Sequence, residues 1–317
     1  MAMQPLDDQS LSGTTGKDGL NIGVQVSKVD FNQVALIDTD GYTTEDSSLS
    51  KAALVIAANP NTNTSAGIDF VQTFNEDGSI QNSTSNTLNA LIDTDAGTAS
   101  TGGAFSNIAL SFGNNVNGIR IRPLSVYLVP DNVNAISSMT GSTYAQKSIF
   151  NTGTTMLVSN NIKELLRTEN IDVAFVAGNQ PTMNLQLGAA PQGHMVMFGG
   201  AVQSICGAGD GCNINLVSGN TGAQFDLQMT GMDSNGFSLN GFYAGIEGES
   251  EADKGAFVFG NEGTSDKFNL NLNNVMLGTK DIASTDGTFN NLPNGSIGNI
   301  GLKGASITDF KMRVSGM

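Results

Sequence analysis

From Ile171 onward, apolar and polar residues alternate in short runs, and glycine cuts these runs at intervals of roughly ten residues. The runs are Ile171–Gly178, Met183–Gly188, Met195–Gly199, Asn213–Gly219, Gln224–Gly231, Ala256–Gly260 and Lys267–Gly278. A period of two is the mark of a half-buried strand. Within Lys267–Gly278, Phe268, Leu270 and Leu272 share one face, and Asn269, Asn271 and Asn273 share the other. A helix would scatter those apolar side chains around its circumference. Phe-x-Leu cores recur at Phe225, Phe237 and Phe268, but with irregular spacing.

The N-terminal part carries a clearer internal match. Ala35–Asp40 recurs as Ala90–Asp95, and each copy runs through a Gly/Thr/Ser-rich loop into another strand-like stretch, Ala52–Ala57 or Ile108–Phe112. Two related strand–turn–strand units are expected. Helix signals are few: Asn160–Thr168 has an Asn cap, two leucines and mixed charges. Asp7–Ser12 could form one turn, and Ser137–Phe150 is ambiguous. The organisation expected is an N-terminal β region (1–130), a connector with a short helix (131–168) and a C-terminal β region (169–317), with one continuous domain as the alternative. The fold expected is all-β, a solenoid or β-helix-like stack with a short helical insertion. Two antiparallel β-sandwich domains are the second choice.

Composition supports strands and turns. Charged residues are 14% of the chain, against roughly 25% in an average soluble domain. Polarity comes instead from Asn, Ser, Thr and Gln, and there are 39 glycines. The net charge is −15, from 14 Lys+Arg and 29 Asp+Glu. Such a surface repels nucleic acid and anionic lipid, and no run reaches the ~18–20 apolar residues of a membrane-spanning helix. Neither nucleic acid nor membrane insertion is therefore expected. The first eight residues have neither the basic nor the apolar region of a signal peptide.

Candidate chemistry is sparse. Cys206 and Cys212 bracket a glycine-rich loop, which reads as a small disulfide clip in an oxidising compartment. Two unpaired thiols are the alternative. Asp38, Asp40 and Glu45 place oxygen ligands around a glycine turn, as at the start of a calcium loop, but an ordinary Asp-capped turn has the same pattern. No cofactor is the primary expectation, with calcium as the alternative. His194 is the sole histidine and opens an apolar run. No nucleophile elbow, phosphate-binding loop or zinc-protease motif is present. Trp is absent and Tyr numbers four, which argues against an aromatic sugar platform. The chain is not expected to be an enzyme.

The ends carry more. Ile307, Phe310, Met312 and Val314 supply apolar side chains almost to the last residue, and Ile22, Val24 and Val26 begin the first strand-like stretch. An uncovered strand edge is a template for pairing. Both stretches are candidate polymerisation edges. Burial of the last strand in the middle of its own sheet is the competing reading.

The segment Leu6–Ile22 contains Leu6-x-Asp8, Leu11-Ser12 and a Gly13-x-x-Gly16 before its first apolar strand, and Asp38–Gly41 follows the first strands. This resembles the mature start of the FilA-like pilus-system family of exported surface proteins from gram-negative bacteria, Acinetobacter and its relatives. The resemblance covers roughly the first forty-five residues. It implies passage through the periplasm, an extracellular or cell-surface location and a fibre context, and it carries over no catalytic residues. The function expected is a structural subunit of an extracellular fibre or pilus-like appendage. It would assemble with itself, head to tail through strand edges, and with other surface-fibre components, in the service of adhesion or biofilm. A monomeric tip adhesin is the alternative, and a β-helix enzyme acting on polysaccharide is the third.

Overall fold

The computed structural model describes residues 19–38, 43–44, 47–48, 52–59, 62, 65–85, 87–130, 163–218, 221–248, 255–279 and 296–315. Within them the chain runs up and down in eight long legs of consecutive strands. The first leg is β1 (Leu20–Val24), β2 (Lys28–Phe31) and β3 (Gln33–Asp38). A small hairpin follows, β4 (Thr43–Thr44) with β5 (Ser47–Ser48). The second leg is β6 (Ala52–Ala58), β7 (Ala66–Phe74), β8 (Ile80–Asn82) and β9 (Leu88–Asp95). The third is β10 (Phe105–Phe112), β11 (Gly118–Ile121) and β12 (Leu124–Pro130), and the fourth is β13 (Lys163–Thr168), β14 (Ile171–Phe175) and β15 (Thr182–Gly188). The fifth is β16 (Val196–Gly199), β17 (Ala201–Ile205) and β18 (Cys212–Ser218). The sixth is β19 (Thr221–Gly231), β20 (Phe237–Ser238) and β21 (Phe242–Glu247). The seventh is β22 (Ala256–Asn261) and β23 (Phe268–Thr279), and the eighth is β24 (Ser296–Ala305) and β25 (Lys311–Val314).

Each leg pairs antiparallel with its neighbours in sequence. One sheet has the order β1-β9-β10-β15-β16-β21-β22-β25. The other runs β2-β7-β11-β14-β17-β19-β18-β13-β12-β6-β3, with β23 and then β24 joined to β19. Together the strands curl into a nearly closed, barrel-like form.

Alternation along each leg becomes rows across the legs. In the first sheet, Leu20, Ile92, Ile108, Leu185, Val196, Ala244, Phe259 and Met312 are register partners in succession, and all eight are apolar. A second row joins Phe70, Ile119, Val173, Ile205, Met229, Leu270 and Leu302. A third joins Val34, Ile56, Val126, Leu166, Leu216, Ala223 and Leu277. Polar rows lie between them. Lys28, Asp69, Arg120 and Asp172 face one another in alternating sign across four strands. Arg120 grips Asp172 with two bonds of 2.6 Å, and Arg122 binds Asp69 and Asp30.

Residues from both sheets pack together in the core. One cluster, Phe70, Val116 and Phe175, gathers Val26, Leu88, Phe112, Ile119 and Val173. Another, Phe237, Phe242 and Phe268, gathers residues that include Phe198, Met229, Phe259 and Ile307. The legs bend between the sheets where side chains replace ladder bonds. Val26 N–H donates to Thr87 Oγ1 at 2.9 Å, and Asn117 Nδ2 donates to the Gln72 carbonyl at 2.8 Å. Gly118 is required there, since a Cβ would sit 2.4 Å from the Val173 carbonyl oxygen and 2.5 Å from the Phe74 ring.

Several expectations change. The described residues are almost all β, but every strand pair among them is antiparallel, and they show no stacked coil. The glycine punctuation also marks bends inside legs. Gly200, at a φ of 76°, separates β16 from β17. The helix expected over Asn160–Thr168 is instead β13 from Lys163 onward. The helical readings of Asp7–Ser12 and Ser137–Phe150 lie outside the described residues. The repeat units do form hairpins, β3 with β6 and β9 with β10, at opposite ends of the legs. The regions on either side of the connector share both sheets, since β10 pairs β15 and β12 pairs β13.

Candidate functional site

The first and eighth legs are the two margins of the pleated surface. β1 pairs only with β9, and β25 only with β22, so these strands are opposite edges of one sheet. An edge strand leaves every other backbone N–H and C=O facing outward. Leu20, Ile22 and Val24 are 57%, 38% and 43% exposed on β1, and Phe310, Met312 and Val314 are 40%, 43% and 55% exposed at the other margin. Of the twenty-one exposed large apolar side chains among the described residues, twelve lie on these two legs.

The sequence placed polymerisation candidates at both ends, and the fold brings most of them to these margins. Two depart. Val26 leaves the edge at the bend and packs against the Phe70 cluster. Ile307 lies in the turn before β25 and packs against the Phe237 cluster, while its carbonyl accepts from the Ser265 N–H at 2.8 Å. Apolar character in a strand-like run could not separate these two from their edge neighbours, because the bend that redirects them is set by Thr87 and Ser265 on other legs.

Lysine and arginine on an edge strand ordinarily discourage pairing. Here Lys311 Nζ lies 2.8 Å from Glu247 Oε2, and Arg313 Nη1 lies 3.7 Å from the same atom. Glu247 is on β21, so both cations reach back over β22 and away from the margin. The Lys311 hydrogen bond holds the Glu247 carboxyl below its ordinary range. Asn261 stitches the same edge, its amide Nδ2 donating to the carbonyls of Gly263 at 2.9 Å and Ile307 at 3.3 Å. Gly260 is needed beside it: a Cβ would meet the Phe310 carbonyl oxygen at 2.5 Å and the Tyr243 hydroxyl at 2.7 Å.

The other candidates fall elsewhere. Cys206 and Cys212 are joined in a disulfide, with Cα atoms 5.3 Å apart, closing the connection from β17 to β18. Around it, Asn273 Nδ2 donates to the Asp210 carbonyl and Gln228 Nε2 to the Gly209 carbonyl. His194 stacks on Tyr243 at 3.6 Å with Nε2 3.0 Å from Glu262 Oε1. All four arginines are matched with carboxylates. Asp38 is exposed at the end of β3, while Asp40 and Glu45 lie outside the described residues. In the matching turn, Asp95 Oδ1 accepts from the Gly97 N–H at 2.6 Å, an Asp capping its own backbone. No group of three or more His, Cys, Asp or Glu suited to a metal ion occurs among the described residues. The chain matches no family model, no curated protein and no solved structure.

Proposed function

We propose that the protein is a structural subunit of an extracellular fibre or pilus-like appendage, assembling with itself through strand edges in the service of adhesion or biofilm. One observation carries the reading: two apolar-lined strands, β1 and β25, form opposite margins of the same sheet, and no described strand covers either. Strand addition at such margins supplies main-chain hydrogen bonds, and alternating side chains supply specificity. Because the margins belong to different strands, the contact is heterologous, and repeated heterologous contacts give an open filament unless the rotation closes a ring. The Cys206–Cys212 bridge fits an oxidising compartment outside the cytoplasm.

Deleting Phe310–Met317 removes one margin. Negative-stain microscopy of the purified protein should show filaments for the parent chain and single particles for the deletion. Filaments of normal length from the truncated chain would show that the β25 edge is not used. Discrete particles from both chains would favour the tip adhesin.

A further inference from the structure

An asparagine followed by glycine can react with its own backbone, because a residue with no Cβ leaves its nitrogen open to the asparagine side chain. The sequence has four such steps, at Asn117, Asn235, Asn240 and Asn294. The last lies outside the described residues. The fold treats the other three differently. Asn117 enters β11 with its side chain committed to the Gln72 carbonyl, and Gly118 is buried between β7 and β14. Asn235 is exposed in the turn before β20, but Gly236 is buried and its N–H donates to the Asp233 carbonyl at 3.1 Å. The same ring could form at Asp77–Gly78 and Asp210–Gly211. There the glycine N–H groups donate to the carbonyls of Asn75 at 3.0 Å and Ala208 at 3.2 Å.

Asn240 is exposed, and Gly241 half-buried, in the turn between β20 and β21. The Phe242 N–H closes this turn by donating to the Leu239 carbonyl at 3.1 Å. Gly241 takes the third position of the turn at a φ of 87°, which leaves its own N–H outside the closing bond. Among the described residues that N–H has no acceptor, and the Asn240 side-chain amide makes no hydrogen bond. Nucleophile and target are adjacent in the chain, and neither is engaged elsewhere.

We infer that Asn240–Gly241 is a site of spontaneous self-modification, the Asn–Gly step among the described residues that the folded chain leaves able to form a cyclic imide. The co-reactant is water. Hydroxide takes the Gly241 amide proton, and the nitrogen attacks Asn240 Cγ. The N–Cγ bond forms, the Cγ–Nδ2 bond breaks, and the side-chain nitrogen takes a proton from water and leaves as ammonia. Water then opens the imide. Cleavage at Cγ leaves aspartate. Cleavage at the main-chain carbonyl carbon leaves isoaspartate, in which the backbone runs through the former side chain. The net change turns an amide and water into a carboxylate and ammonium. Either product places a negative charge near Glu262, whose N–H donates to the Gly241 carbonyl at 2.8 Å. Isoaspartate also inserts a methylene into the main chain just ahead of Phe242, a member of a buried phenylalanine cluster. The inference uses neither margin and stands apart from the fibre reading.

The test incubates the unaltered chain in mildly alkaline buffer, folded by far-UV circular dichroism, beside the same chain unfolded in urea. Samples are digested over time, and each Asn–Gly peptide is followed by mass spectrometry, with isoaspartate read by enzymatic methylation. In the folded chain the Asn240 peptide should convert while the Asn117 and Asn235 peptides lag by about tenfold or more, since those sites must first open locally. In urea the three rates should converge. Conversion of Asn117 or Asn235 at the Asn240 rate in the folded chain would overturn the inference. So would an Asn240 peptide that stays intact in the folded chain yet converts in urea. A lag that persists unchanged in urea would overturn it too, because the difference would then belong to the neighbouring residues and not to the fold.

Discussion

Glu164 and Arg167 form the most buried ion pair among the described residues, with side chains 4% and 6% exposed. Arg167 donates from Nε to Oε1 at 2.9 Å and from Nη2 to Oε2 at 2.8 Å, and Ser125 Oγ, itself fully buried, donates to Oε1 at 2.8 Å. Removing one member leaves a charge where water cannot reach it. Breaking a buried pair in this way costs about 3–5 kcal/mol, whereas replacing both members by apolar groups of similar volume is often neutral. Glu164→Leu and Arg167→Met should each destabilise by that amount, and the double variant by less than either single. In a chain of this length each kcal/mol lowers Tm by roughly 2 °C, so each single variant should melt roughly 6–10 °C below the parent. Thermal and urea unfolding followed by far-UV circular dichroism, completed as a double-mutant cycle, measures this. Single losses below about 1 kcal/mol, or a double loss equal to the sum of the singles, would refute the claim that the two charges depend on each other in a dry environment.

Other consequences can be read the same way. Asp30 is held down to about 2 by the Arg122 hydrogen bond, below its ordinary 3.8, so its contribution is present above pH 3.8 and is lost as pH falls through about 2. Arg122→Met should flatten the acid limb of the stability–pH curve, and an unchanged limb would assign acid unfolding to other groups. Breaking the Cys206–Cys212 bridge, which spans a sequence separation of 6, should cost about 2 kcal/mol on a chain-entropy basis, seen as a lower urea midpoint for the double serine variant. Phe268 is buried and meets Phe237 edge-on at 5.4 Å, so Phe268→Ala should cost about 3–5 kcal/mol, while Phe257→Ala, at a half-exposed site, should cost less than about 1. Equal losses at the two sites would mean that the core does not lie around Phe268.

Local pattern determined the strands and their faces. The alternation of Lys267–Gly278 became β23, with Leu270 against Met229 on one face and Asn271 Nδ2 donating to Gln228 Oε1 at 3.2 Å on the other. It also brought the apolar ends of the chain forward as candidates, and Cys206 with Cys212 as a clip. What alternation cannot report is the partner of each strand, because a period of two describes which way a side chain points and nothing about which distant strand lies beside it. Tertiary pairing chose an antiparallel succession of legs over stacked coils, and it turned Val26 and Ile307 from the margins into the core. Region 160–168 shows the division best. Its mixed charges suggested a helix, where residues three apart share a face. In a plain strand Glu164 and Arg167 would point to opposite faces. They meet because the pairing of β12 with β13 shifts register between Val126 and Tyr127, and one extra residue in β13 brings both side chains to the same side. The sequence supplied the pair; only the strand beside it decided how the two would meet.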